Sequence, residues 1–323
     1  MMRSPKSFVV AVRRADKQIV VREQAWETLL GKVKPLRWPF LRGAIVLIES
    51  LWNGLSAINF SAEQAMPEQE AGAASSAPAG PREATAKEKA ALATTLLVSL
   101  ALGLGLFVGA PHLLTWLLGG ALGVPLDTRG FAFHLIDGVI KVVIFVGYLA
   151  AISQFAEIKR VFEYHGAEHK AIWAYENEKA LTPENAASYP TLHPRCGTSF
   201  ILIVLAMSIV LFAVVFPFIP KVSDHALLNQ LAMIAVKLPL MLPLAGLSYE
   251  LQRYSARKQC PALVRWLVSP GLLMQKITTR EPSRDQLEIA VIALARALAR
   301  EQGKTQGDGV RLFRDFDGAL AVL

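Results

Sequence analysis

Long apolar blocks separated by short charged stretches dominate the chain. Four blocks, residues 90–110, 133–155, 199–219 and 227–247, are long enough to cross a membrane. A crossing spans about 30 Å of hydrocarbon and takes roughly 20 helical residues. Each block is predicted to be helical, because an open strand would leave peptide groups unpaired in lipid. The apolar piece 112–123 is too short to cross and reads as an interfacial or re-entrant turn, with a fifth span as the alternative. Residues 43–60 are apolar but include Glu49, Asn53 and Asn59, so they read as an amphipathic or re-entrant helix packed on the bundle.

The flanks have a different rhythm. Ser7-Phe8-Val9-Val10-Ala11-Val12 and Gln18-Ile19-Val20-Val21 surround Arg14-Ala15-Asp16-Lys17, which predicts a small β-hairpin. Trp26, Trp38 and Phe40 suit anchoring at the membrane surface. Residues 62–89 offer little to bury and read as a mobile linker. Near the end, Ser283 and Gln286 form a capping box for a helix from about Arg284 to Glu301, with Leu287, Val291, Leu294 and Leu298 on one face. The whole pattern predicts an all-α integral membrane bundle of about four transmembrane helices, with a small N-terminal β-containing cytoplasmic segment and a C-terminal amphipathic helix. Its parts are a basic segment 1–61, the linker 62–89, the bundle 90–247 with a cytoplasmic loop 156–198, and a helical region 248–323.

Composition agrees with a membrane class. Of 323 residues 53% are apolar and 19% charged, with mean hydropathy +0.37. The net charge of +8 is spread over several segments without an aromatic-rich basic motif, so no nucleic-acid partner is expected. Lys and Arg instead set orientation: residues 1–42 hold ten, 156–198 five and 249–323 twelve, whereas 111–132 and 220–226 hold one each. The positive-inside rule then places both termini and the 156–198 loop in the cytoplasm. Two cysteines, Cys196 and Cys260, make no disulfide framework. The opening residues lack the apolar core and small-residue cleavage site of a signal peptide.

Chemistry concentrates in the loop. Tyr164-His165-Gly166-Ala167-Glu168-His169-Lys170 puts two imidazoles four residues apart on one helical face, with Glu168 flanking it. This is the H-x-x-E-H order of inverted zinc hydrolases, in which two His hold zinc and Glu activates water. His193-Pro194-Arg195-Cys196 follows just before the third span and offers two more ligands. His165, His169, His193 and Cys196 are therefore candidate metal ligands, Glu168 a candidate base, Arg195 a candidate anion binder, and zinc the first metal. Four ligands would close a structural tetrahedron, whereas three would leave a catalytic opening. Both histidines as plain surface residues of the helix is the rival reading. Lys237 lies in mid-span and needs a partner, with Glu49 and Asp137 available. His112, His134 and His225 fall near the outer face, away from the cluster.

With these residues in view, the chain resembles the YqhQ-like family of bacterial membrane proteins, described only as predicted metal-dependent enzymes. The resemblance rests on Met1-Met2-Arg3-Ser4-Pro5-Lys6-Ser7, Arg42-Gly43, Glu49-Ser50-Leu51, the run Ile158 to Lys170, His193 to Phe200, Ser248-Tyr249-Glu250 and Thr278-Thr279-Arg280-Glu281-Pro282. It implies a bacterial inner-membrane location and a metal at His165, Glu168, His169, His193 and Cys196. Family members usually carry a Gly-Gly-Gln-Ala-Val stretch before the Met-Met-Arg, so an upstream start is expected. The leading expectation is a zinc-dependent hydrolase at the cytoplasmic face. Its rivals are a scaffold or assembly factor with structural zinc and a transporter using Lys237 and Asp137. Expected partners are the lipid bilayer, a protein docked on the C-terminal amphipathic helix, and a second copy of the chain.

Overall fold

The computed structural model describes residues 1–32, 38–65, 86–123, 126–255, 257, 259–305 and 307–321. Most of the expected linker, residues 66–85, lies outside the described residues. Four strands, β1 (Met2–Arg3), β2 (Ser7–Arg13), β3 (Ile19–Ala25) and β4 (Gly309–Phe313), form an antiparallel sheet in that order. The expected hairpin is β2–β3, with Val12 opposite Val20 and the Gln18 N–H bonded to Asp16 Oδ1 at 2.9 Å in its turn. The short strand β4 lacks a sequence signal of its own and joins the edge of β3 from the far end of the chain.

The helices are α1 (Leu29–Lys32), α2 (Pro39–Ala65), α3 (Ala86–Leu104), α4 (Ala110–Ala121), α5 (Phe131–Ile152) and α6 (Ala156–Glu176). They continue with α7 (Pro183–Ala187), α8 (Gly197–Val215), α9 (Ala226–Ser255), α10 (Ala262–Thr278), α11 (Arg284–Glu301) and α12 (Phe316–Leu320). The protein is thus mostly helical. Among the described residues, five helical stretches are long and apolar enough to cross a membrane: Leu41–Ala65, Ala93–Ala121, Phe131–Ile152, Gly197–Phe218 and Ala226–Ser255. Four of them overlap the expected spans, so the count of four was approximate. The fifth is α2, whose polar positions are absorbed by the sheet unit. Glu49 accepts from the Thr28 hydroxyl at 2.8 Å and the Leu29 N–H at 2.7 Å, and Ser56 accepts from Arg22. The piece 112–123 is no separate turn. A π-helical stretch, Gly105–Gly109, carries α3 directly into α4 and keeps one helix running.

The sheet is covered on both sides. Val9, Ala11, Ile19 and Val21 pack in one core with Ala167, Ala171 and Ala174 of α6 and the apolar face of α11. Phe8, Val10 and Val20 pack instead on Phe60 of α2. Burial on both faces is the reason these strands read as continuous valine runs. Helix α11 spans the expected residues and has its expected capping box. Its apolar face is occupied by this chain's own sheet and α6. The N-terminal strands, the loop after α5 and the C-terminal helix and strand therefore make one folded unit beside the bundle.

Inside the bundle, Lys237 is fully buried and finds Asp137, one of its two expected partners. Its ammonium donates to Asp137 Oδ2 at 3.0 Å and to His112 Nδ1 at 2.9 Å, and His112 in turn meets Gln230 at 2.8 Å. Lys141 donates to the same carboxylate oxygen at 2.5 Å. Helices α4, α5 and α9 are thereby tied by one polar knot.

The sheet unit has a comparable knot. Arg296, fully buried on α11, donates to Glu23 Oε1 of β3 at 2.7 Å and twice to the Ala319 carbonyl of α12, at 3.1 and 2.7 Å. Removing one partner of a buried pair strands the other charge, at about 3–5 kcal/mol. Arg296→Ala is expected to lower the thermal unfolding midpoint in detergent strongly. The double variant Glu23→Leu/Arg296→Met is expected to recover most of that loss. A midpoint equally low in the double variant would show that the charge itself is needed.

Candidate metal centre

Helix α6 starts three residues after the last residue of α5, and its first two turns carry Lys159 and Arg160. Two turns further on, His165 and His169 project from one face, with ring centroids 4.4 Å apart. Their orientation is fixed from outside the helix. His165 Nδ1 lies 2.8 Å from the Thr278 carbonyl oxygen and His169 Nδ1 lies 2.5 Å from that of Thr191. A carbonyl only accepts, so both Nδ1 atoms carry the proton and donate. Both Nε2 atoms are left facing inward, the arrangement that backbone carbonyls impose on metal-ligating imidazoles.

Cys196 closes the third side from the N-cap position of α8, where extended backbone turns into helix. Its Sγ lies 3.1 Å from His165 Nε2 and 3.0 Å from the Thr198 hydroxyl. Ligand atoms of His165, His169 and Cys196 all fall within 4.8 Å of one another. Zinc bonds of about 2.0–2.3 Å would draw these atoms to roughly 3–4 Å apart. Two imidazoles and a thiol are a donor set that suits zinc, so the residues fit the ion.

Burial works against charge at this cluster, yet proximity wins. It disfavours the His165 imidazolium, but the hydrogen bond and attraction from Cys196, with Glu168 beside it, raise the pKa to about 9. Burial likewise opposes a Cys196 thiolate, but hydrogen bonds from His165 and His169 pull its pKa down to about 5. Without metal, the pair is a thiolate against an imidazolium.

The remaining candidates stand around the triad rather than in it. His193 is buried, its ring centroid 5.6 Å from that of His169, and its Nε2 lies 3.4 Å from Glu176 Oε2. Burial lowers the His193 pKa against the pull of Glu176. Arg195 is exposed and pairs with Glu176 Oε1 at 2.7 Å. Glu168 is partly exposed and pairs with the Met1 amino group.

Several residues that build this site left no mark in the sequence reading. Gln275 of α10 grips the loop by accepting from the His193 N–H at 2.7 Å and donating to its carbonyl at 2.8 Å. The Trp173 indole donates to the Leu192 carbonyl at 2.8 Å. Glu176 closes the last turn of the same helix as the two histidines, seven residues after His169. That i, i+7 spacing was the available signal. Gly166 has a contact that only a glycine allows. A Cβ there would lie 2.1 Å from the Arg280 carbonyl oxygen, in a segment whose Arg280 N–H bonds back to Phe162 at 3.0 Å. This close approach carries the Thr278 carbonyl to His165.

A family model described as a protein of unknown function, DUF1385, matches residues 38–300. The chain is 32% identical over 292 residues to the "Uncharacterized protein YqhQ" of Bacillus subtilis (strain 168), covering 88% of this chain and 84% of that protein. No solved structure matches it. The chain belongs to the DUF1385 family, and the YqhQ-like resemblance holds at that level.

Two outcomes follow from the geometry. Gly166→Ala is expected to push the 278–280 segment away, lowering stability by about 1–3 kcal/mol in thermal melts. In metal-stripped protein with Cys260→Ser, ultraviolet thiolate absorbance is expected to persist down to about pH 5. His165→Ala should move that midpoint upward, toward the ordinary thiol value of about 8.5. The folded thiol pKa is depressed, so its contribution to stability is lost as pH falls through about 5. An unchanged midpoint in His165→Ala would dissolve the pair.

Proposed function

We propose that this member of the DUF1385 family is a zinc-dependent hydrolase working at the cytoplasmic face of the bacterial inner membrane. One observation carries the reading: Thr278 and Thr191 hold two imidazoles so that both Nε2 atoms face the Cys196 thiol. Backbone carbonyls that fix two tautomers around a common point serve a ligand better than they serve packing. His165, His169 and Cys196 would hold the ion. Three protein ligands leave a fourth position open, and zinc there supplies a Lewis acid and a water of lowered pKa.

The surrounding residues take distinct parts. Glu168 follows His165 by three residues on the same helix and is the proton acceptor in this reading. Glu176 holds Arg195 in place to meet an anionic group, and its contact with His193 keeps that imidazole beside the triad. Orientation rests on the distribution of Lys and Arg. It is supported by the packing of both terminal segments with the 156–198 loop in one unit.

The 3.1 Å contact between Cys196 and His165 also favours a second reading, a nucleophilic thiolate with an imidazole base at a helix N-terminus. Metal analysis of purified protein separates the two. Zinc is expected to co-purify with wild type and with Glu168→Gln, and to be lost from His165→Ala. X-ray absorption is expected to find two nitrogens, one sulfur and one light solvent ligand. Activity is expected to be lost in Glu168→Gln despite retained zinc. A shell closed by a third imidazole would favour a structural clamp and a scaffold. Protein with no retained metal but rapid, stoichiometric Cys196 alkylation would favour the thiolate reading.

A further inference from the structure

Beside the candidate centre, a groove of about 650 Å³ opens between α2, strand β2 and α6. That is within the range of about 300–1,000 Å³ typical of small-molecule sites. Its walls are largely apolar, drawn from Val10 and Val12 of β2, Ala57 and Ile58 of α2, and Val161 of α6. Ile58 and Val161 are 66% and 57% exposed, so apolar surface stands open to whatever enters. His165 and Glu168 belong to the same wall. A second, more polar cleft of about 400 Å³ shares Arg13, Arg160 and Tyr164 with the groove and adds Lys159.

We infer that this groove takes an acyl chain of an anionic membrane lipid, with the headgroup on Lys159 and Arg160. The inference rests on the hydrolase reading only where it makes that lipid the substrate. Place and charge both argue for a lipid. Helix α6 starts at Ala156, just past the span that ends at Ile152. At about 1.5 Å per residue, Lys159 and Arg160 then sit within the headgroup layer. Among the described residues neither side chain has a carboxylate partner, whereas Arg13 is held by Glu288 at 2.6 Å and Arg14 by Gln64 at 2.9 Å. A basic residue at this depth attracts anionic lipid by about 1 kcal/mol. An apolar slot with a cationic mouth complements an amphiphile and would be a poor seat for a free phosphate.

Two details narrow the occupant. Residues 66–85, which follow α2 directly, contain Met66 as their only large apolar side chain and offer the groove little. Gly54 lines the groove in mid-helix, and a Cβ there would meet nothing within 4 Å. Glycine costs a helix about 0.5–1 kcal/mol relative to alanine, and here it leaves the slot wide. The same openness makes it a clean place to block.

The test uses the purified full chain in detergent with trace phosphatidylglycerol bearing a photoreactive group in its acyl chain. Phosphatidylcholine with the same group serves as control. Cross-links are expected on α2 and on residues 160–165 of α6, stronger for the anionic probe. Gly54→Phe should abolish them without lowering the melting temperature. Arg160→Gln should weaken only the anionic probe, by about fivefold. If Gly54→Phe does not fold, Ile58→Asp replaces it as the blocking variant. Equal labelling of wild type and the blocked variant, or equal labelling by both lipids, overturns the inference. Zinc is measured on the same samples. Groove labelling without zinc would sink the metal reading and leave the lipid site standing, while zinc without groove labelling would do the reverse.

Discussion

Everything at the candidate centre depends on one close backbone approach. The chain leaving α10 passes over α6 at Gly166, where only a hydrogen atom separates it from the helix. Through that approach the Thr278 carbonyl reaches His165, and the loop gripped by Gln275 brings the Thr191 carbonyl to His169. Side chains four residues apart on a helix share a face by geometry alone. What converts that face into a binding corner is the pair of carbonyls behind it. Imidazoles free to rotate would pay an ordering penalty on binding that these do not.

Charge at the corner follows from the same packing. Cys196 and the two histidines are buried, so their mutual contacts outweigh the solvent they have lost. Glu176 does the corresponding work one turn away, neutralising Arg195 and steadying His193 on the rim. The bundle repeats this logic in lipid. There Asp137 stands between Lys141 and Lys237, and His112 passes the network on to Gln230. In both places a buried charge is tolerated because neighbouring helices supply its partners.

How far the sequence could be read varied with the range of the interactions. The β2–β3 hairpin and the Ser283 cap were legible because valine runs, turn residues and capping pairs act over a few residues. His165, His169 and Cys196 were legible as metal-ligand spacing, although that spacing gave no reason for His193 to stand outside the triad. Glu49 made α2 look too polar for a span, because its partners Thr28 and Leu29 could not be known before folding. The π-helical join at Gly105–Gly109 and the strand β4 were invisible for the same reason. Each is settled by packing against segments remote in the chain.

That remoteness has a consequence for how the protein is made. Strand β3 is among the first segments to leave the ribosome, and its edge partner β4 is nearly the last. Pairings of such separation close slowly, since the chain must be brought together before any contact rewards it. The N-terminal hairpin must wait, one edge bare, while every hydrophobic helix is threaded into the bilayer. A truncated chain can never complete the sheet, so the corner of imidazoles and thiol is assembled only on molecules whose synthesis has run to its end.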